Sequence, residues 1–234
     1  MYMNKLVGIV PRGDLNADSA MEDFYLTGNN YAKRIQEVGG IPMGLAPVDG
    51  VLSEAALDLC DAFVVMGGKK IWPYHFQALH HAVTHHKPYL GICLGMQLIH
   101  CYFAVRDEVE KRGLNGDLCQ NIIRIFFEEQ WEDALLERAE NHRYPLPSRG
   151  QEGSVKHPVN VMPGTLLHSL ADCDTLMGAT FHSWRIHDPS PKLTVSAYAA
   201  DGTIEGIEYA DYMLGVQFHP EADDLLPALF RFLL

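Results

Sequence analysis

A doubly wound α/β fold, with a mostly parallel sheet covered by helices on both faces, is predicted by three features of the 234-residue chain. Short apolar runs alternate with stretches of helical periodicity, the pattern of a parallel sheet wrapped by helices. Several of these segments stop at Gly or Pro, which interrupt regular structure. The composition, 47% hydrophobic and 21% charged, is that of an ordinary globular protein and excludes wholesale disorder or a fibrous repeat. The length suits one large domain over residues 1–234 with a sizeable core.

Leu6 to Val10 is an apolar run ended by Pro11, as in a buried strand. Asn29 to Val38 places Tyr31, Ile35 and Val38 at helical spacing and stops at Gly39-Gly40. Ile41 to Leu45 follows as a strand, and Ala62 to Met66 as another that ends at Gly67-Gly68. Pro73 to His86 predicts a helix with proline in its first turn. Tyr89 to Ile92 is the next strand and Leu94 to Val105 the next helix. Residues 106–153 are charged and depart from the alternation. Within them Phe126 to Ala139 predicts an amphipathic helix, and the segment is expected to roof a cleft near the preceding helix. Leu193 to Ala199, Thr203 to Tyr209 and Met213 to Phe218 predict strands, with a turn at Asp201-Gly202, and a short helix closes the chain from Asp223.

The 18 Lys plus Arg against 30 Asp plus Glu leave a net charge of −12, which argues against binding nucleic-acid backbones or anionic membranes. No stretch reaches the roughly 18 apolar residues of a membrane helix. The Met1 to Val10 start is too short in its apolar part for a secretory signal. The five cysteines form no CxxC pair and read as reduced thiols of a cytoplasmic protein, in which one Cys can be chemically active.

The chemistry concentrates in Tyr89-Leu90-Gly91-Ile92-Cys93-Leu94-Gly95-Met96-Gln97. A buried strand running through Gly-x-Cys-x-Gly into a helix is the cysteine form of a nucleophile elbow. Cys93 would stand at a helix N-terminus, whose dipole and free N–H groups favour a thiolate. The bland alternative is a buried cysteine beside a glycine-rich turn. A second segment, Leu214 to Glu221, is an apolar strand ending in His219-Pro220-Glu221. Residues i and i+2 of a strand share a face, so Glu221 can orient the imidazole of His219 while its other nitrogen faces the thiol.

The blocks GICLGMQ and GVQFHPE resemble the class I glutamine amidotransferase superfamily. NYAKRIQEVGGIP and DGTIEGIE are similar to its γ-glutamyl-γ-aminobutyrate hydrolase branch, peptidase family C26, and the resemblance spans nearly the whole chain except about residues 106–153. It implies a flavodoxin-like fold and hydrolysis of a γ-glutamyl amide through a glutamyl-thioester, with no cofactor. It also implies Cys93 as nucleophile, His219 as base, Glu221 as third triad member, and the Gly68 and Leu94 amides as the oxyanion hole. Gln97 matches a position that contacts the glutamyl moiety, and Gly67 is grouped with it among substrate-binding positions. Phe181-His182-Ser183-Trp184 resembles the segment that grips the substrate's α-amino and α-carboxylate ends.

Two departures concern the leaving group: Lys69-Lys70-Ile71-Trp72-Pro73 stands where the branch has Gly, Asp and Pro, and His182-Ser183-Trp184 replaces His-His-Gln. Lys69 and Lys70 either bind acidic groups or form a solvated loop. The expected partner is a small γ-glutamyl substrate, with a homodimer possible; a separate synthase would be the partner if the chain were an ammonia-supplying glutaminase subunit. A non-catalytic regulatory protein of the same fold is the remaining alternative. His81 and His85, at i and i+4 on one helix, lack a nearby third ligand in the sequence, so they are expected to form a solvated face and no metal is expected. His182 and His187 could compete with His219 as base, but neither has a carboxylate two residues on. Cys101 reads as packing, and Tyr25, Tyr31 and Trp72 either line the cleft or, as aromatics at such spacings ordinarily do, belong to the core.

Overall fold

The computed structural model describes residues 5–14, 24–139, 141–142, 155–222 and 227–234. β1 (Leu6–Val10) is followed by a small antiparallel ribbon of β2 (Arg12–Asp14) and β3 (Phe24–Leu26). α1 (Asn29–Glu37) turns Tyr31, Arg34 and Ile35 inward and leads to β4 (Ile41–Gly44). Next come α2 (Glu54–Leu59), β5 (Ala62–Val65), α3 (Pro73–His85), β6 (Tyr89–Ile92) and α4 (Leu94–Lys111). Beyond them lie α5 (Leu118–Glu128), α6 (Trp131–Leu135) and β7 (Leu136–Arg138). The chain continues through β8 (Lys156–Val161), α7 (Leu166–Ala171), β9 (Thr175–Ala179) and β10 (Trp184–Ile186). It closes with β11 (Thr194–Ala199), β12 (Ile204–Tyr209), β13 (Met213–Val216), a 3-10 turn at Pro220–Ala222 and α8 (Pro227–Arg231).

Nine strands form one sheet in the order β4-β1-β5-β6-β13-β12-β11-β8-β9. Pairing from β4 to β13 is parallel, and from β13 through β12, β11 and β8 to β9 it is antiparallel. Every residue of β5, β6 and β13 is buried, because both faces are covered. Such strands read as unbroken apolar runs. Alternate side chains feed two cores: Phe63, Val65 and Tyr89 join α3, α4 and α5 on one face, while Val64, Leu90 and Ile92 join α1 and α8 on the other. The α/β class expected from the sequence is therefore the observed one, with an antiparallel extension. No helix among the described residues is long and apolar enough to cross a membrane.

Two local expectations are corrected. Phe126 to Ala139 is not one helix: α5 ends at Glu128, Gln130 takes a left-handed φ of 55°, and α6 and β7 follow. The periodicity runs on across a backbone break that periodicity does not sense. α4 does not stop at Val105 but extends to Lys111, its charged end laced by Arg106–Glu110 and Arg112–Glu108 pairs. Among the described residues of 106–153, α5 lies over α3 through the Phe76 and Phe126 rings, 4.8 Å apart. Only β7 of the described excursion pairs with a strand near the elbow, through β10. The closing helix begins at Pro227, and the expected start at Asp223 lies outside the described residues.

Candidate active site

Cys93 is the junction of β6 and α4, and its backbone sits at φ 53°, ψ −101°. A side chain costs about 1–2 kcal/mol at left-handed φ, so the surrounding structure must hold it there. It does so through the Cys93 N–H, which donates to the Val216 carbonyl of β13 at 2.8 Å. The Cys93 carbonyl accepts the Met96 and Gln97 N–H groups at 3.1 Å, starting α4. The elbow is also too tight for side chains on either flank. A Cβ on Gly95 would lie 2.5 Å from the Val65 carbonyl oxygen, and one on Gly91 would lie 2.4 Å from that of Gly95.

β13 pairs with β6 in the register Gly215↔Gly91 and Val216↔Ile92, so the chain leaving β13 passes beside Cys93. His219 is fixed by its N–H to the Ala179 carbonyl at 2.8 Å, and its Nδ1 lies 2.6 Å from Glu221 Oε1. With Nδ1 directed at the carboxylate, Nε2 is the nitrogen available to the thiol. Gly67 closes the site from β5: a Cβ there would lie 2.7 Å from His219 Cε1 and 3.4 Å from Cys93 Cβ.

Burial opposes charge on the His219 ring, yet the Glu221 charge and the Cys93 sulfur beside it outweigh that and hold its pKa well above the ordinary 6.5. Burial would likewise raise Glu221, but His219 and then the Tyr31 hydroxyl bring it below its ordinary value. The pair is thus arranged as imidazolium and carboxylate. Tyr31, buried on α1, accepts the Gly67 N–H at 3.0 Å and faces Glu221. It joins α1, the Gly67 turn and the carboxylate.

A family profile, peptidase C26, matches residues 5–86 and 74–221. The chain belongs to the peptidase C26 family. It is 27% identical to Protein NtpR of Enterococcus hirae over 83% of this chain and 81% of that protein. It is also 27% identical to a glutamine amidotransferase-like protein of Rickettsia prowazekii, over 94% and 92%. A CTP synthase of Sulfurimonas denitrificans is 31% identical over 72% of this chain, which spans 33% of that enzyme. Among solved structures, the glutaminase domain of Trypanosoma brucei CTPS, with bound acivicin, has a TM-score of 0.64 at 16% identity, covering 98% of this chain and 92% of that one. The fold is that of the glutamine amidotransferase-like hydrolases.

Within this peptidase C26 chain the other positions singled out in the sequence are placed as follows. Gly68 lies against Leu94, where a Cβ would meet Leu94 Cδ2 at 2.8 Å, so the two amides expected to form the oxyanion hole come from adjoining turns. Gln97 is buried, and its Nε2 donates to the Trp184 carbonyl at 3.0 Å and to Gln217 Oε1 at 3.2 Å. That amide nitrogen braces the 181–184 segment against α4. The Phe181 ring lies 5.1 Å from the His219 ring. Ser183 accepts the Ala139 N–H through its carbonyl, and the Trp184 ring is covered by Arg138 at 4.0 Å.

His182 departs from its expected contact with substrate. Its imidazole is fully buried, with Nδ1 on the Trp184 carbonyl at 3.0 Å and Nε2 3.3 Å from Glu205, so both nitrogens are turned to the protein. His187 faces Asp188. Lys69 and Lys70 are exposed, and Lys70 Nζ sits 4.1 Å over the Trp72 ring. Cys101 is fully buried, which pushes its thiol well up. The expected solvated histidine face is also corrected: His81 is buried against Phe63, although His85 is exposed, and α2 brings Asp58 within 3.5 Å of His81. Tyr31, an aromatic that at its helical spacing either lines the cleft or belongs to the core, is placed beside the Gly67 turn and Glu221.

Proposed function

We propose that the chain is a cysteine hydrolase of γ-glutamyl amides, releasing glutamate and an amine. The observation that carries this reading is Cys93, held at positive φ on a helix N-terminus beside a histidine locked to a buried carboxylate at 2.6 Å. In the first step the Cys93 sulfur attacks the γ-carbonyl carbon, forming a C–S bond while the carbonyl electrons move onto oxygen. The Gly68 and Leu94 amides stabilise that oxyanion, each donor contributing about 3–4 kcal/mol. Collapse breaks the C–N bond, and the amine leaves with a proton from His219. His219 then takes a proton from water as its oxygen adds to the thioester, and collapse breaks the C–S bond to restore the thiolate. Glu221 keeps the imidazole oriented and offsets its charge.

A glutaminase subunit serving a separate synthase is the second reading, supported by the CTP synthase relatives. The purified chain alone, offered glutamine and a panel of γ-glutamyl amides, separates the two. Under our reading at least one amide of a larger amine has a higher kcat/KM than glutamine, the ratio that measures discrimination between competing substrates. Cys93→Ala abolishes that turnover. Glutamine as the best substrate, with activity only after a second protein is added, favours the subunit.

A further inference from the structure

Away from the elbow, four side chains from four separate segments converge: His142, His157 of β8, His182 and Glu205 of β12. His142 Nδ1, His157 Nε2 and His182 Nε2 lie 3.5, 3.4 and 3.3 Å from Glu205 Oε1. All three nitrogens and both Glu205 oxygens are buried without a hydrogen-bond partner. Five orphaned polar atoms at one point are costly unless something else satisfies them.

The outer nitrogens fix where one proton of each ring sits. His157 Nδ1 lies 3.0 Å from the Pro158 carbonyl and His182 Nδ1 3.0 Å from the Trp184 carbonyl, while His142 Nε2 lies 3.0 Å from Asp201 Oδ2. Carbonyls and carboxylates only accept, so each outer nitrogen carries a proton, and on a ring with that single proton the inner nitrogen presents a lone pair. Lone pairs converging on a carboxylate repel unless a cation lies between them. Outer N–H groups held by carboxylate or carbonyl are the arrangement that orients metal-bound imidazoles. The spacing agrees. Ligands about 2.05 Å from a tetrahedral zinc stand roughly 3.3–3.4 Å from one another, whereas charge-assisted N–H···O bonds are about 2.7–2.9 Å.

We propose that His142, His157, His182 and Glu205 form a binding site for a divalent transition-metal ion, zinc by preference, with four protein ligands and a structural role. Three imidazoles and one carboxylate suit zinc, and a fully ligated ion leaves no open position for catalysis. A pocket of about 170 Å³, lined in part by Asn141, His142, His157 and Asp201, adjoins two of the four ligands. The ion ties residue 142 to β8 and β12 across long stretches of chain, and it anchors His182. Through His182 it steadies Phe181 against His219 and the Trp184 carbonyl against Gln97. The assignment holds whatever amide the Cys93 site cleaves. The rival arrangement is an ion-free cluster in which His157 is protonated. There burial opposes the charge, and the neighbouring Glu205 draws the pKa above its ordinary value.

The test uses the full chain, stripped with a chelator and then equilibrated with Zn2+ or Co2+. Elemental analysis should find one zinc per chain, zinc should raise the melting temperature, and Co2+ should give the intense visible absorption of a tetrahedral site. His157→Ala and Glu205→Gln should lose all three signals. Asp201→Asn, which spares the ligands and alters the outer partner of His142, should weaken affinity about 10–100-fold. His85→Ala should change nothing. Should the ligand variants fail to fold, the wild-type stoichiometry and Co2+ spectrum decide. A wild-type chain that retains no zinc and gives no Co2+ spectrum overturns the site in favour of the ion-free cluster. Zinc retained in full by folded His157→Ala and Glu205→Gln overturns it in favour of binding elsewhere.

Discussion

At the scale of single residues, the site rests on charges that stabilise one another out of water. His219 is raised above 6.5 against the effect of burial, chiefly by Glu221. If the reactive form carries imidazolium and thiolate, activity is lost as pH climbs through that raised value. The alkaline limb of kcat/KM should therefore lie above pH 6.5, the ordinary histidine value. Glu221→Gln removes the charge that raises it and should move the limb to lower pH, as a pH–rate profile of both proteins would reveal; an unmoved limb would assign it to another group. Tyr31 reaches the same chemistry indirectly, as a positioning residue. Tyr31→Phe deletes the acceptor of the Gly67 N–H and the hydroxyl facing Glu221. Hydrogen bonds to charged groups are worth about 1.5–3 kcal/mol, so kcat should fall roughly tenfold or more with KM little changed. Equal loss in kcat and gain in KM would mean that the Gly67 turn had simply collapsed.

Strained geometry belongs to the element, not to the residue alone. The β6–α4 elbow works because α4 approaches β5 closely enough that Gly95 has no room for a methyl group. Forcing one in should cost about 1–3 kcal/mol. At about 2–4 °C per kcal/mol for a chain of this size, Gly95→Ala should melt several degrees below wild type. The positive φ of Cys93 gives a complementary expectation. Glycine relieves the left-handed strain that alanine keeps, so Cys93→Gly should be more stable than Cys93→Ala by about 1 kcal/mol, both inactive. Urea denaturation of the two variants makes the comparison. Alanine proving equal to glycine would mean that the elbow relaxes once the thiol is gone.

Across the whole molecule, acidity and exposure set the outer limits on substrate. The net charge is −12, and Lys69 and Lys70 follow directly on the Gly67-Gly68 turn. Both are exposed, with Lys70 resting on Trp72. Exposed charges are strongly screened at physiological salt. Replacing both by Gln should raise KM for amides of acidic amines only a few-fold, vanish at high salt, and leave neutral amides unchanged. Steady-state kinetics at two ionic strengths measures this, and a uniform change over the substrate panel would mark the lysines as plain loop residues.

The sequence alone determined those parts whose signals are local. β1, β5, β6 and β13 are legible because strands buried on both faces must be apolar throughout, and Gly91, Cys93 and Gly95 are legible because a tight elbow tolerates little else. His219 and Glu221 stand out by their two-residue spacing after an apolar run, but they meet across the 3-10 turn at Pro220–Ala222 and not along a strand as expected, because β13 ends at Val216. β8 and the edge strand β9 escaped notice because both are partly exposed, and β8 carries Pro158, so neither forms an apolar run. The break at Gln130 was invisible because a left-handed turn leaves hydrophobic periodicity intact. What only the tertiary structure decided are the meetings of distant residues. Tyr31 reaches Glu221 because α1 packs beside the turn after β13. His142, His157, His182 and Glu205 share one point because a sheet and two loops bring them there. A burial pattern constrains which face a residue takes, but the partner it meets on that face depends on how separate elements pack.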